Sequence, residues 1–153
     1  MYIGVDTSTR SICIGWFEKD ESDWEWLWEG LDGETLFEKM EKAYQVTYNW
    51  ILNKQNEEFV VGIEEPIYIQ NGTTHKALCC IYSMAVKAFC DWGLTPESVN
   101  ISKWKKSVVG KGNANKEIVK SYMIDRLGLP IDLEQDVYDA LAVSIYMRGD
   151  SSR

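Results

Sequence analysis

Four carboxylates, Asp6, Glu64, Asp136 and Asp139, stand where they could do chemistry together. Asp6 directly follows Tyr2-Ile3-Gly4-Val5, and Glu64 directly follows Phe59-Val60-Val61-Gly62-Ile63. Each ends an apolar run that reads as a buried strand, although acids are disfavoured in strands. Asp136 and Asp139 lie three apart in Gln135-Asp136-Val137-Tyr138-Asp139-Ala140-Leu141-Ala142, a spacing that places both on one face of a helix. Open α/β sheets bind ligands outside the carboxyl ends of their parallel strands, and neighbouring strands lie about 4.8 Å apart, so Asp6 and Glu64 can converge. Each acid alone has an ordinary explanation. A strand-end acid can cap backbone N–H groups, and an acid in the first turn of a helix complements its dipole, which accounts for Asp136 better than for Asp139. Four carboxylates at one place repel strongly unless divalent cations neutralise them, and all-oxygen ligation suits magnesium or manganese.

A second set of residues suits phosphate. Lys103, Lys105 and Lys106 surround Trp104, the loop Gly110-Lys111-Gly112-Asn113 follows, and Lys116 begins a helix. Glycines let a backbone approach a phosphate closely, helix N-terminal N–H groups favour anions, and lysines add point charges. The loop lacks the G-x-x-x-x-G-K spacing of a triphosphate-binding loop. A solvated basic helix face is the plainer alternative. His75, the single histidine, has Cys79 four residues on, but no second ligand pair completes a zinc site.

The elements that must position these groups follow from periodicity. Tyr2 to Val5, Ser11 to Phe17 and Trp24 to Glu29 read as strands, and the short links between them require antiparallel pairing. From about Gly33 to Lys54 apolar residues recur at helical spacing. Phe59 to Ile63 then reads as a buried strand reached by a crossover, hence parallel. His75 to Trp92 is an apolar helix, and Ser98 to Ile101 a fifth strand. Ser102 caps a short helix through Val109. Gly110 to Asn113 is a tight loop. Helices at about Asn115 to Leu127 and Gln135 to Met147 close the chain, with Gly128 and Pro130 between them. The order βββ-α-β-α-β-α-α describes an α/β domain with a mixed sheet.

The 153 residues leave room for one domain, spanning 1–153. Hydrophobic residues are 45% and charged residues 26%, which excludes a disordered or fibrous chain. No apolar stretch reaches the roughly 18 residues of a membrane span, and the N-terminus lacks the basic and apolar regions of a secretory leader, so a cytoplasmic location is expected. Cys13, Cys79, Cys80 and Cys90 read as reduced core thiols. The net charge of −8 argues against a nucleic-acid partner, but its distribution reverses that. Residues 1–66 carry −10, residues 67–126 carry +5 and residues 127–153 carry −3, so the lysines lie in a local basic zone.

Taken together, Ile3-Gly4-Val5-Asp6-Thr7-Ser8-Thr9-Arg10, Ile63-Glu64, Val108-Val109-Gly110-Lys111-Gly112-Asn113-Ala114-Asn115-Lys116 and Asp136-Val137-Tyr138-Asp139-Ala140-Leu141-Ala142 resemble, in this order, the RuvC family of Holliday-junction resolvases, phage-type members included. The resemblance runs from residue 3 to about residue 146. It implies a ribonuclease-H-like α/β fold, with a five-stranded mixed sheet (a three-stranded antiparallel meander plus parallel strands) flanked by helices. It also implies that Asp6, Glu64, Asp136 and Asp139 are metal-binding catalytic carboxylates, with Glu65 the alternative at the second position. Lys105 and Lys116 match the family's active-site lysines, and Lys103, Lys106 and Lys111 would add DNA contacts.

The implied activity is that of a homodimeric endonuclease with two Mg2+ ions per site, for which Mn2+ can substitute. It nicks two strands of like polarity at a four-way junction, leaving 5′-phosphate and 3′-hydroxyl ends, in a bacterial cell or a phage-infected one. No branch-migration partner is named by the resemblance. The family places an aromatic shortly after the second carboxylate, to stack on opened bases. Here Ile67 falls at that position and Tyr68 one residue later, so Tyr68 is the stacking candidate and a buried loop aromatic the alternative. The apolar stripe of His75 to Trp92 serves a dimer face or the core equally well. Broader nucleases of the same fold, acting on flaps, forks or RNA precursors, and a non-catalytic junction-binding protein share the pattern. A sugar-kinase-like reading of Asp6-Thr7-Ser8-Thr9 needs a second domain, for which there is no room.

Overall fold

The computed structural model describes residues 1–31, 33, 35–54 and 58–151. Strands β1 (Tyr2–Thr7), β2 (Ser11–Phe17) and β3 (Glu25–Gly30) form an antiparallel meander. Helix α1 (Leu36–Asn53), begun by a reciprocal capping box between Thr35 and Glu38, carries the chain to β4 (Val60–Glu64), which pairs parallel with β1. Helix α2 (Gly72–Asp91) leads to the short β5 (Glu97–Val99), parallel to β4. The sheet order is β3-β2-β1-β4-β5, the mixed five-stranded arrangement expected. Helices α3 (Ile101–Val108), α4 (Lys116–Leu127) and α5 (Gln135–Ser151) complete the chain.

Period-2 alternation sorts the strand residues between two faces. Ile3, Val5, Ile12, Ile14, Val61 and Ile63 pack with Trp50 and Ile51 of α1 and with Ala85 and Phe89 of α2. The opposite face carries Cys13 and Phe17 against α5, α4 and α3. Across its middle runs a row of glycines, since Gly4 is paired with both Gly15 and Gly62. Helix α5 lies in the trough they leave. A Cβ at Gly4 would strike the carbonyl oxygen of Ala140 and come within 2.5 Å of the Ser144 nitrogen, and one at Gly15 would meet the Leu141 nitrogen at 2.9 Å. Strand glycines here serve close backbone approach. At the far end of α5, Glu21 accepts hydrogen bonds from Arg126, at 2.6 Å, and from Arg148, fastening the β2–β3 turn to α4 and α5.

Several local expectations are corrected. Asp6 lies inside β1, which runs on to Thr7, because β2 continues to pair with it as far as Ile12. Asn100, not Ser102, caps α3, its Oδ1 accepting from the N–H groups of Ser102 and Lys103. The fifth strand ends at Val99. All four cysteines are free, but only Cys13 is a core thiol. Cys79 and Cys80 are half-buried and Cys90 is exposed. In α2, Ile81, Ala85, Ala88 and Phe89 are buried within the chain, so the core takes up that part of the stripe, while Ala77, Leu78 and Met84 are half-buried. No helix among the described residues is long and apolar enough to cross a membrane.

Candidate active site

The parallel register of β1 and β4 pairs Val5 with Ile63, which makes Asp6 and Glu64 the next residue of each strand. Both lie two residues beyond a glycine of the trough, on the α5 side of the sheet. Seating α5 in that trough brings its first turns over Asp6, so Asp139 arrives from above. Asp6, Glu64 and Asp139 line one cavity of about 390 Å3 with Lys105 of α3 and Lys116 of α4. Its remaining wall mixes apolar residues, among them Ile67, Ile69, Leu78, Ile101 and Val119, with the hydroxyls of Thr7, Ser8, Thr9 and Thr74.

Burial and mutual repulsion dominate the electrostatics. Asp6 is held well above the ordinary carboxylate range, first by burial, then by the charges of Glu64, Asp139 and Asp136, with Lys116 opposing. Glu64 is pushed up to about 7 by burial and by Asp139, against the hydrogen bond from Trp104 and the charge of Lys105. Asp139 rises to about 6, chiefly through burial, with the Gln135 hydrogen bond and Lys105 opposing. Burial and the charges of Asp6, Asp136 and Asp139 push the Cys13 thiol up as well, leaving it neutral. Two lysines do not offset this concentration of acid.

Neutral donors hold three of the acids. Trp104 Nε1 donates to Glu64 Oε2 at 2.6 Å, Gln135 Nε2 to Asp139 Oδ1 at 3.1 Å, and Ser11 Oγ to Asp136 Oδ2 at 2.6 Å, with Trp28 Nε1 on the same oxygen at 3.3 Å. Asp136 thus stands beside the cavity rather than on its lining, close enough for its charge to act on Asp6. Glu65 also borders the cavity, but its carboxylate is engaged by Asn100 Nδ2 at 2.7 Å and Ser98 Oγ at 3.4 Å. Glu64 is the member of the pair that joins the acidic cluster.

Lys105 Nζ donates to the Ala114 carbonyl at 2.8 Å, tying α3 to the end of the glycine loop. That loop turns at Gly110, whose φ of +89° suits glycine. Lys103, Lys106 and Lys111 are exposed outside the cavity. Tyr68 is 80% exposed, with its ring 5.4 Å from that of His75, so the buried-aromatic alternative is excluded. Sequence reasoning missed Trp104, Ser11, Trp28 and Gln135, whose partners are distant in the chain except for Gln135. The only local signal was an indole set among lysines at position 104.

The donor set fits a hard divalent cation: carboxylate oxygens only, buried, with excess negative charge. Among the described residues, no three such side chains close around a single point at ligand spacing. The fit therefore rests on chemistry and placement.

A mixed sheet with acids towards the carboxyl ends of its first and fourth strands and on the last helix defines a ribonuclease-H-like domain. The sequence pattern of the family described as Crossover junction endodeoxyribonuclease RuvC matches residues 3–147, and the chain belongs to that family. It is 28% identical over 146 residues to the Crossover junction endodeoxyribonuclease RuvC of Hahella chejuensis, covering 94% of this chain and 84% of the relative. It is 29% identical over 146 residues to that of Tolumonas auensis, covering 94% and 83%. Among solved structures, T. thermophilus RuvC in complex with Holliday junction substrate superposes with a TM-score of 0.77 at 18% identity, covering 99% of this chain and 93% of that one. A second Thermus thermophilus RuvC structure gives 0.72 at 17% identity, covering 98% and 95%.

Proposed function

We propose that this chain is a metal-dependent endonuclease that resolves four-way DNA junctions, with residues 1–153 as a single catalytic domain. The observation that carries this reading is the convergence of Asp6, Glu64 and Asp139 with Lys105 and Lys116 on one cavity. Family membership and relatives named as crossover junction endodeoxyribonucleases support the substrate. Asp6, Glu64, Asp136 and Asp139 would hold two magnesium ions, with manganese able to replace them. Bound there, the ions supply charge neutralisation for in-line phosphoryl transfer and a hydroxide-like nucleophile at neutral pH.

The chain's own groups do the rest. Lys105 and Lys116 place positive charge beside the acids, where they attract the scissile phosphate and oppose the charge that builds on it. Lys103, Lys106 and Lys111 contact flanking phosphates and fix register without reading bases. Tyr68, projecting from the loop after β4, stacks on an unpaired base. Action as a homodimer gives two such sites, hence paired nicks in strands of like polarity with 5′-phosphate and 3′-hydroxyl ends. A DNA substrate accords with action in the cytoplasm of a bacterial or phage-infected cell.

A panel of synthetic substrates in magnesium tests the reading. Cleavage of a four-way junction far above that of a flap, a fork, linear duplex or structured RNA is expected. Equal cleavage of flaps and forks would make the chain a broad debranching nuclease, and binding without cleavage in magnesium or manganese would leave a junction-binding protein.

A further inference from the structure

We infer that Trp104 is a positioning residue for Glu64, its buried indole N–H pinning one carboxylate oxygen and locking α3, with Lys105, against the end of β4. The inference rests on the proposed role of Glu64. Trp104 is completely buried, yet its Nε1 has a partner, Glu64 Oε2, at 2.6 Å. That bond joins α3 to β4 across 40 positions of sequence. An indole is a donor that neither titrates nor accepts, and here it takes Glu64 Oε2 and leaves Oε1 for other partners.

The neighbouring acid makes a parallel connection. Glu65 Oε1 accepts from Asn100 Nδ2 at 2.7 Å, and Asn100 Oδ1 caps α3. Two consecutive carboxylates, the last of β4 and the one just beyond it, therefore grip the same helix, one at its fourth residue and one at its cap. Lys105 follows Trp104 directly, and its charge lies close enough to act on Glu64 and Asp139. Placement of the acid and of the lysine is thus one mechanical event. Outer hydrogen-bond partners of this kind typically matter by about 10–100-fold in metal affinity or activity.

Trp104→Phe keeps an apolar ring and deletes the donor. Expected are a 10-fold or greater weakening of magnesium binding to the DNA-free protein by calorimetry, a comparable fall in junction cleavage rate, and junction affinity in calcium within about twofold of wild type. The same substitution in a Glu64→Ala background, which has no acceptor for the indole, separates positioning from packing. A loss of magnesium affinity as large in that background as in wild type would overturn the inference, because Trp104 would then act through the core and not through Glu64. Should Trp104→Phe fail to fold, the 15N-indole spectrum of the folded wild type serves instead. One exchange-protected N–H resonance must move in Glu64→Gln, and a spectrum unchanged by that substitution would equally overturn it. Wild-type cleavage by Glu64→Gln would instead remove the underlying assignment of Glu64.

Discussion

Gly4 in the central strand lies directly beneath Ala140 of α5, so close that the carbonyl oxygen of Ala140 occupies the space a Cβ would need. Asp139 precedes Ala140, and Asp6 lies two residues beyond Gly4. The absence of one methyl group thereby sets the height of the last helix above the sheet, and with it the distance between two acids 133 positions apart in the sequence.

Gly4→Ala should therefore be among the most damaging small substitutions in the protein. The obstruction is backbone, which cannot rotate away, so the destabilisation should exceed the usual range of about 1–3 kcal/mol for overpacking, and cleavage should be lost in whatever fraction folds. Gly62→Ala meets side chains only, Met147 Sδ at 2.5 Å and Val99 Cγ2 at 2.9 Å, of which the flexible methionine can give way, and should cost less. Chemical denaturation of both variants gives the comparison. Equal midpoints would mean that α5 is not seated as described.

Asp139→Asn should abolish cleavage while raising the stability of the metal-free protein, because it removes one of several crowded, buried negative charges. Melting in a chelator and a junction cleavage assay read the two effects separately. A variant that cuts normally, or that melts below wild type without metal, would show the cluster to be misassigned.

The same crowding fixes a pH dependence. Asp6, Glu64 and Asp139 all have folded-state pKa values above the roughly 4 of an unfolded carboxyl. Between those limits the folded chain binds more protons than the unfolded one, so stability falls as pH rises. In metal-free protein the contribution of these three acids should be fully present below about pH 4 and be lost through pH 6 and 7, where Asp139 and Glu64 ionise. Magnesium should restore stability above pH 7 by mass action. Melting curves from pH 4.5 to 8, with magnesium and with chelator, check this. Coincident curves at pH 7.5 would remove the metal from the account.

The lysines should divide into two groups. Lys105→Ala and Lys116→Ala, at the cavity, should slow cleavage of bound junction. Lys103→Ala, Lys106→Ala and Lys111→Ala should chiefly weaken binding, each lowering the salt dependence of log affinity by about one. Affinity titrations at several salt concentrations, paired with single-turnover cleavage, distinguish the groups.

Much of this was legible in the sequence because the acids stand out there as a set. An aspartate after Tyr2-Ile3-Gly4-Val5 and a glutamate after Val60-Val61-Gly62-Ile63 are each explicable alone but together with Asp136 and Asp139 form a pattern, and the run Ser11 to Phe17 between turn-rich segments matches the observed bounds of β2. What stayed hidden depends on pairing between distant segments. That Gly4, Gly15 and Gly62 form one row requires the strand register, and that Trp104 serves Glu64 requires the fold. Asn100 and Ser102 are both good caps by type, and only the φ/ψ path into α3 chooses between them. The loop carrying Ile67 and Tyr68 could not be placed inside or outside the core by pattern, because a single aromatic has no period.

The most direct test is a map of nick positions on all four strands of an end-labelled synthetic junction in magnesium, with wild type and Asp6→Asn. The account predicts paired nicks on two strands of like polarity, placed symmetrically about the branch point, each leaving a 5′-phosphate, and none with Asp6→Asn. Nicks scattered over single strands, or a pattern that survives Asp6→Asn, would contradict it.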